Sequence, residues 1–243
     1  MLILALDTSS AAGSAAIVRD DTIVIERTGD GSRTHGERLP RELMTILTDA
    51  GVALHDIDAF AVVTGPGSFT GLRVGIATIQ GLALAQRKRV APVTSFEALA
   101  RLGRTLDRAS DVRPRASDLI AVWIDAHRGE VFASLYAPDG MGVRERPTSL
   151  SPGATIEAWR EALEGDTRVR FIGDGADKYA ADIRGGLGER AQILTGVPAL
   201  AGTAGRIAAA DPGRLVNPHA VIPLYVRRSD AELARDRREA ARP

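Results

Sequence analysis

Apolar residues along the chain follow two rhythms, and the switches between them mark out its elements. Leu2 to Leu6 is an unbroken apolar run that stops at Asp7. Ala15 to Val18 and Ile23 to Ile25 follow after short polar breaks, which predicts three strands joined by tight turns. From Gly36 to Ala50 the spacing changes. Leu39, Leu43, Ile46, Leu47 and Ala50 fall on one face of a helix. Ile57 to Val63 then predicts a buried strand, Phe69 to Gln86 a helix and Arg89 to Val93 a short strand. Ser95 to Leu106 predicts a further helix with Ser95 as its N-cap.

A charged linker, 107–117, contains Pro114, and after it the order starts again. Leu119 to Ile124 is an apolar run ending in Asp125, with strands at Val131 to Tyr136 and Gly142 to Arg146. Pro152 to Leu163 predicts a helix, Val169 to Ile172 a strand and Ala176 to Ile183 a helix. Ala191 to Leu194 predicts a weak strand and Leu200 to Ala210 a last helix. Two copies of β-β-β-α-β-α-β-α, each opened by an apolar strand ending in Asp, predict a duplicated α/β fold. Its lobes are 1–106 and 107–226. The charged tail, 227–243, reads as a frayed helix or as disordered. One large α/β sheet is the alternative arrangement of the same elements.

Composition narrows the function. The chain has 243 residues, 44% hydrophobic and 26% charged, as an ordinary globular protein does. Its 31 basic and 31 acidic side chains cancel. A protein that grips nucleic acid alone usually carries a basic excess, so a nucleic-acid role here requires a partner. There is no cysteine, which excludes disulfides, thiol nucleophiles and cysteine-ligated zinc. The opening apolar run is too short for a signal peptide or a membrane span, so a cytoplasmic protein is expected.

The most distinctive stretch is TGPGSFTGLRVG, Thr64 to Gly75. Gly65 and Gly67 lie between a buried strand and a helix, where free amides and a partial positive charge can hold an anion. The stretch lacks the Gly-Lys-Ser ending of a P-loop and the spacing of a Rossmann turn, and a ligand-free tight turn fits it equally. In the helix beyond, only Thr70, Arg73, Thr78, Gln80 and Gln86 are polar, which predicts burial on both sides. Gly67, Gly71 and Gly75 recur every four residues and leave a flat strip for another helix. That helix is either the one at Gly36 to Ala50 or belongs to a partner subunit.

Catalytic and metal-binding signals are sparse. His35, His55, His127 and His219 show no paired spacing, and each reads as a lone surface histidine. Asp7 and Asp125 read as caps of turn backbone in preference to holders of a magnesium-bound water. Asp174, in Gly173-Asp174-Gly175, reads as the N-cap of the next helix, although that turn could touch a nucleotide. His127 and Asp125 share a turn, which is no triad.

LDTSS at Leu6 to Ser10, H-x-E-R-L at His35 to Leu39, TGPGSFTGLRVG, and VTSFEALA at Val93 to Ala100 together resemble the TsaB (YeaZ) family. The similarity is close over 1–106. It continues more loosely through WIDAHRGEVFASLY and FIGDGA to about Tyr225.

The resemblance implies an actin/Hsp70/hexokinase-like (ASKHA) fold of two RNase H-like lobes. It also implies a non-catalytic partner that binds and activates the TsaD transferase. TsaD forms threonylcarbamoyladenosine beside the anticodon of tRNAs, using an adenylate made by a separate enzyme. TsaE, a small ATPase, joins the assembly, and tRNA is met only within it. TsaD-like chains carry two metal-binding histidines four residues apart; the matching positions here are Ser95 and Leu99, which cannot hold a transition metal.

The expected partner patch is Leu39, Leu43, Gly71, Gly75, Ile76 and Ile79, with Arg73 as a rim ion-pair donor. The same patch could form a homodimer. A Gly75→Leu variant is expected to block TsaD binding and leave the lobe folded. Asp7, Gly65 and Gly67 are the nucleotide-proximal candidates. No intrinsic cofactor, metal or catalytic residue is expected, and any ATP or ADP is expected at a TsaD interface. A glycoprotease-like metallopeptidase and a sugar- or acetate-kinase-type phosphotransferase stay open on fold grounds.

Overall fold

The computed structural model describes residues 1–106, 115–196 and 199–227. Most of the linker, 107–114, and the tail from 228 onward lie outside the described residues. The first half runs β1 (Leu2–Asp7), β2 (Ser14–Arg19), β3 (Thr22–Thr28), α1 (His35–Asp49), β4 (Ala59–Val63), α2 (Phe69–Ala85), β5 (Arg89–Val93) and α3 (Ser95–Thr105). The second runs β6 (Leu119–Asp125), β7 (Val131–Tyr136), β8 (Val143–Leu150), α4 (Pro152–Ala158), β9 (Val169–Ile172), α5 (Asp174–Lys178), α6 (Ala180–Leu187), β10 (Ala191–Leu194) and α7 (Ala201–Ala210).

Each half makes one five-stranded sheet, and the two orders correspond: β3-β2-β1-β4-β5 and β8-β7-β6-β9-β10. In both, the first three strands are antiparallel and the last two join in parallel. This is the RNase H-like sheet, twice over, in the actin/Hsp70/hexokinase (ASKHA) arrangement. Strands β1 and β6 are central in their sheets and covered on both faces, hence their unbroken apolar runs.

The layers cross the halves. Helices α1 and α2 cover the outer face of the first sheet, where Leu39, Leu43, Ile76 and Ile79 pack on Leu4, Leu6 and Phe60. Helix α7 covers its inner face, with Ala201 and Ala208 against Ile3, Ala5 and Val18. Helix α3 lies on the second sheet, with Phe96 and Leu99 against Ile120 and Val122. So the 106/107 division separates element order, whereas the packing exchanges one helix each way. On the far face of the second sheet, Trp123 meets Trp159 and Phe171 edge-on at 6.2 and 5.3 Å.

Several elements differ from the sequence reading, among them β8, which runs on past Arg146 to Leu150. The N-cap of α3 is Thr94, not Ser95: Thr94 Oγ1 accepts the Glu97 amide at 3.0 Å, and Glu97 Oε2 accepts the Thr94 amide in return. A 3-10 turn at Leu54–Asp56 delays β4 to Ala59. The helix predicted to Leu163 ends at Ala158. The one predicted over Ala176 to Ile183 is two helices, α5 and α6, meeting at Tyr179.

Candidate functional site

Of the predicted nucleotide-proximal positions, Asp7 and Gly67 meet at the turn from β1 to β2, whereas Gly65 lies against Leu72 and Leu224. Asp7 is buried, and its Oδ1 accepts the Ser9 amide at 2.8 Å. It therefore caps the turn, as its place before Thr8-Ser9-Ser10 suggests. Burial pushes its carboxyl up, against the pull of the Ser9 bond. The Gly13 amide donates to Ser10 Oγ at 3.1 Å.

The start of α2 presses on this turn. Ser68 donates its amide to Ser9 O at 2.7 Å, and Ser68 Oγ caps α2 by accepting the Gly71 amide at 3.2 Å. Gly65 has φ 106 and lies against Leu72 and Leu224, where a side chain has neither the backbone freedom nor the room. A side chain at Gly67 would strike Ser9; one at Gly71 or Gly75 would strike Thr8. The glycine strip is therefore the means by which α2 approaches this chain's own turn. A phosphate would need the amides of that turn, and those of Ser9 and Gly13 are already taken.

His35 and Arg38 hold the turn from the other side. His35 is buried, not a surface histidine. Arg38 Nη2 lies 2.7 Å from His35 Nδ1, and a guanidinium only donates, so Nδ1 is the acceptor. Nε2 then carries the proton and donates to Ser10 O at 3.0 Å. Burial pushes the His35 pKa down, and the neighbouring Arg38 charge adds to this. Arg38 also donates to Ala11 O at 3.1 Å, to Ala12 O, and to Glu42 Oε2 at 2.6 Å. Sequence reasoning missed this clamp; the Arg38–Glu42 spacing of four on one helix was the available signal.

In the second half, Asp125 plays the same capping part. Its Oδ1 accepts the His127 amide at 3.0 Å and its Oδ2 accepts Lys178 Nζ at 2.8 Å. Burial opposes its ionisation, but these two donors outweigh it and hold the carboxyl below the usual range. Asp174 is not the N-cap of α5: that residue is Gly173, at φ 116, while Asp174 Oδ1 accepts the Asp125 amide at 2.9 Å. His127 is exposed, 3.4 Å from Asp125, and no serine or threonine hydroxyl joins the pair among the described residues. Among the described residues no three His, Cys, Asp or Glu side chains converge as a metal site.

The expected partner patch is corrected in the same way. Leu39, Leu43, Ile76 and Ile79 belong to the first core, and Gly71 and Gly75 are buried against the turn. Arg73 is exposed, but it turns to this chain's own aromatics: Nε donates to Tyr225 Oη at 2.9 Å, and the guanidinium sits 3.9 Å from the Phe69 ring centroid. Nor is α2 buried on both sides. Its outward row of small residues is Ala77, Gly81 and Ala85, all exposed, flanked by exposed Phe69 and Leu84. Helix α1, beside it, exposes Met44 at 59%.

Comparison with known proteins bears on these surfaces. Residues 26–143 match a family model described as TsaD, tRNA N6-adenosine threonylcarbamoyltransferase. The tRNA threonylcarbamoyladenosine biosynthesis protein TsaB of Bacillus subtilis (strain 168) is 29% identical over 96% of this chain and 96% of its own length. TsaB of Escherichia coli (strain K12) is 34% identical over 59% of this chain and 58% of its own. The solved structure of YeaZ from Pseudomonas aeruginosa superposes with a TM-score of 0.73 at 27% identity, covering 92% of this chain and 99% of that one. Along nearly its whole length the chain is similar to the TsaB (YeaZ) proteins. Here Ser95 is buried with its amide bonded to Gly65 O at 2.8 Å, and Leu99 is packed in the second core. No helix among the described residues is long and apolar enough to cross a membrane.

Proposed function

We propose that this chain serves the formation of threonylcarbamoyladenosine in tRNA as the non-catalytic partner that binds and activates a TsaD-like transferase. The observation that carries this reading is the outward face of α2. A helix that lines Ala77, Gly81 and Ala85 along solvent, between Phe69 and Leu84, presents a smooth apolar surface to which another helix can come close. The names of the TsaB relatives supply the process. The likeness of residues 26–143 to the transferase family supplies the partner, because a chain of related design would bring the same helix pair to the contact.

In this reading a TsaE-like ATPase joins the assembly, tRNA is met only within it, and ATP or ADP sits against TsaD instead of in the β1–β2 turn. The patch closes on a second copy only when TsaD is absent. A kinase-type phosphotransferase would need the turn amides that Asp7 and Ser10 occupy.

Gly81→Leu tests the reading. A Cβ at Gly81 meets nothing within 4 Å and the position is exposed, so the fold is expected to be kept. The variant is expected to melt no lower than the wild type and to lose co-purification with the transferase. It should also fail to support tRNA modification in an assay run with and without this chain. Unchanged co-purification would overturn the proposal.

A further inference from the structure

After the last helix the chain turns back and runs along α2. Gln80 Nε2 donates to Pro218 O at 2.9 Å and to Val221 O at 3.1 Å, and the Leu224 amide donates to Thr64 O at 2.8 Å. The Tyr225 ring stacks 5.3 Å from the Phe69 ring, and Arg73 is bonded to one and lies over the other. Arg227 then crosses to the second half, donating to Ala126 O at 3.0 Å and to Glu130 at 3.1 Å.

This strap is fixed along its inner side but carries apolar groups outward. Ile222 is 73% exposed and Tyr225 43%. With Phe69, Leu84 and Met44 they make up most of the large apolar side chains left exposed among the described residues. Tyr225 packs on Phe69, but a strap with only a packing role would not need Ile222 there.

We propose that the strap, residues 218–227, is part of the partner surface, and that Phe69, Arg73, Ile222 and Tyr225 form its anchor. This rests on the reading of the chain as a partner of a TsaD-like transferase. The occupant is an apolar helix face of that transferase carrying one carboxylate. Arg73 uses Nε on Tyr225 and makes no hydrogen bond through either Nη among the described residues. A carboxylate received by those two groups would be held in a fork, over aromatic rings that exclude water. A second copy of this chain cannot supply it from the same helix, because α2 has no Asp or Glu from Phe69 to Ala85. Pairing α2 with itself would leave two Arg73 cations against uncharged faces.

The test is titration of the full chain against the TsaD-like transferase, with wild type, Ile222→Asp, Arg73→Lys and Gly81→Leu side by side. Ile222→Asp is expected to bind at least about tenfold more weakly, with an unchanged thermal melt because the position is exposed. Arg73→Lys keeps the charge but loses the fork, and is expected to weaken binding severalfold. If both bind like wild type while Gly81→Leu does not, the partner reading stands and the strap anchor falls. If wild type does not bind the transferase, the reading of function falls, and the anchor with it. If Ile222→Asp disrupts a homodimer and leaves transferase binding intact, the assigned occupant is overturned.

Discussion

His35 is neutral in the fold because both ring nitrogens are committed, one accepting from Arg38 and one donating to Ser10 O. Protonation would turn the acceptor into a second donor facing a guanidinium. Burial, joined by the Arg38 charge and opposed by the bond to Ser10, holds its pKa in the folded chain below the ordinary 6.5, and the unfolded chain takes up the proton first as pH falls. The stability due to neutral His35 is complete above pH 6.5 and is lost progressively as pH falls below it. Gln at this position can donate to Ser10 and accept from Arg38 without titrating. In urea unfolding, His35→Gln is expected to lose less stability than wild type between about pH 7.5 and about pH 5.5. Equal losses would remove His35 from the account. The sequence hid this residue because Ser10, which accepts from it, lies in a turn 25 positions earlier in the chain. Asp7 was easier to read: its partner is two residues away, and a cap so local is written in the adjacent letters.

At the scale of elements, strands read well wherever both faces are buried, since an apolar run such as Leu2 to Leu6 admits few other readings. Helix α2 read less well for the opposite reason. With apolar and small residues all around it, its pattern cannot say which side faces inward. Two glycine-alanine rows were available, and the chain uses one inside and the other outside. The row at Gly67, Gly71 and Gly75 meets the β1–β2 turn, so a Gly75→Leu variant is expected to unfold the lobe, against the expectation from sequence that it stays folded. Even Gly75→Ala sets a methyl against Thr8 and is expected to destabilise by about 1–3 kcal/mol in chemical denaturation. Gly81→Ala, in open space on the same helix, is expected to stabilise by up to about 1 kcal/mol. Matching effects at the two sites would refute the assignment of inside and outside rows.

At the scale of the molecule, duplication was legible in the order of elements, but the exchange of α3 and α7 was not, because order says nothing about which sheet a helix will cover. The exchange makes each half depend on the other. The first sheet owes its inner cover to Ala201 and Ala208, and the N-terminus of α7 is held by first-half side chains: Ser14 Oγ accepts the Leu200 and Ala201 amides at 3.2 and 3.0 Å, and Glu26 accepts the Gly202 amide at 2.7 Å. A fragment of residues 1–106 is therefore expected to be aggregated or unfolded, whereas the full chain melts in one transition. A fragment with native-like dispersion of its amide resonances would contradict this.

The layer that makes this dependence is built from the plainest residues in the chain. Ala5, Ala16, Ala59, Ala61 and Ala91 line the sheet, and Gly202 and Gly205 let α7 lie directly on Ile23, Glu26 and Val18. A larger side chain at any of these places would prise the halves apart, while many changes among exposed charges would pass unnoticed. Among relatives that share about a third of the aligned residues with this chain, the quiet middle should vary least in size, whatever its chemistry.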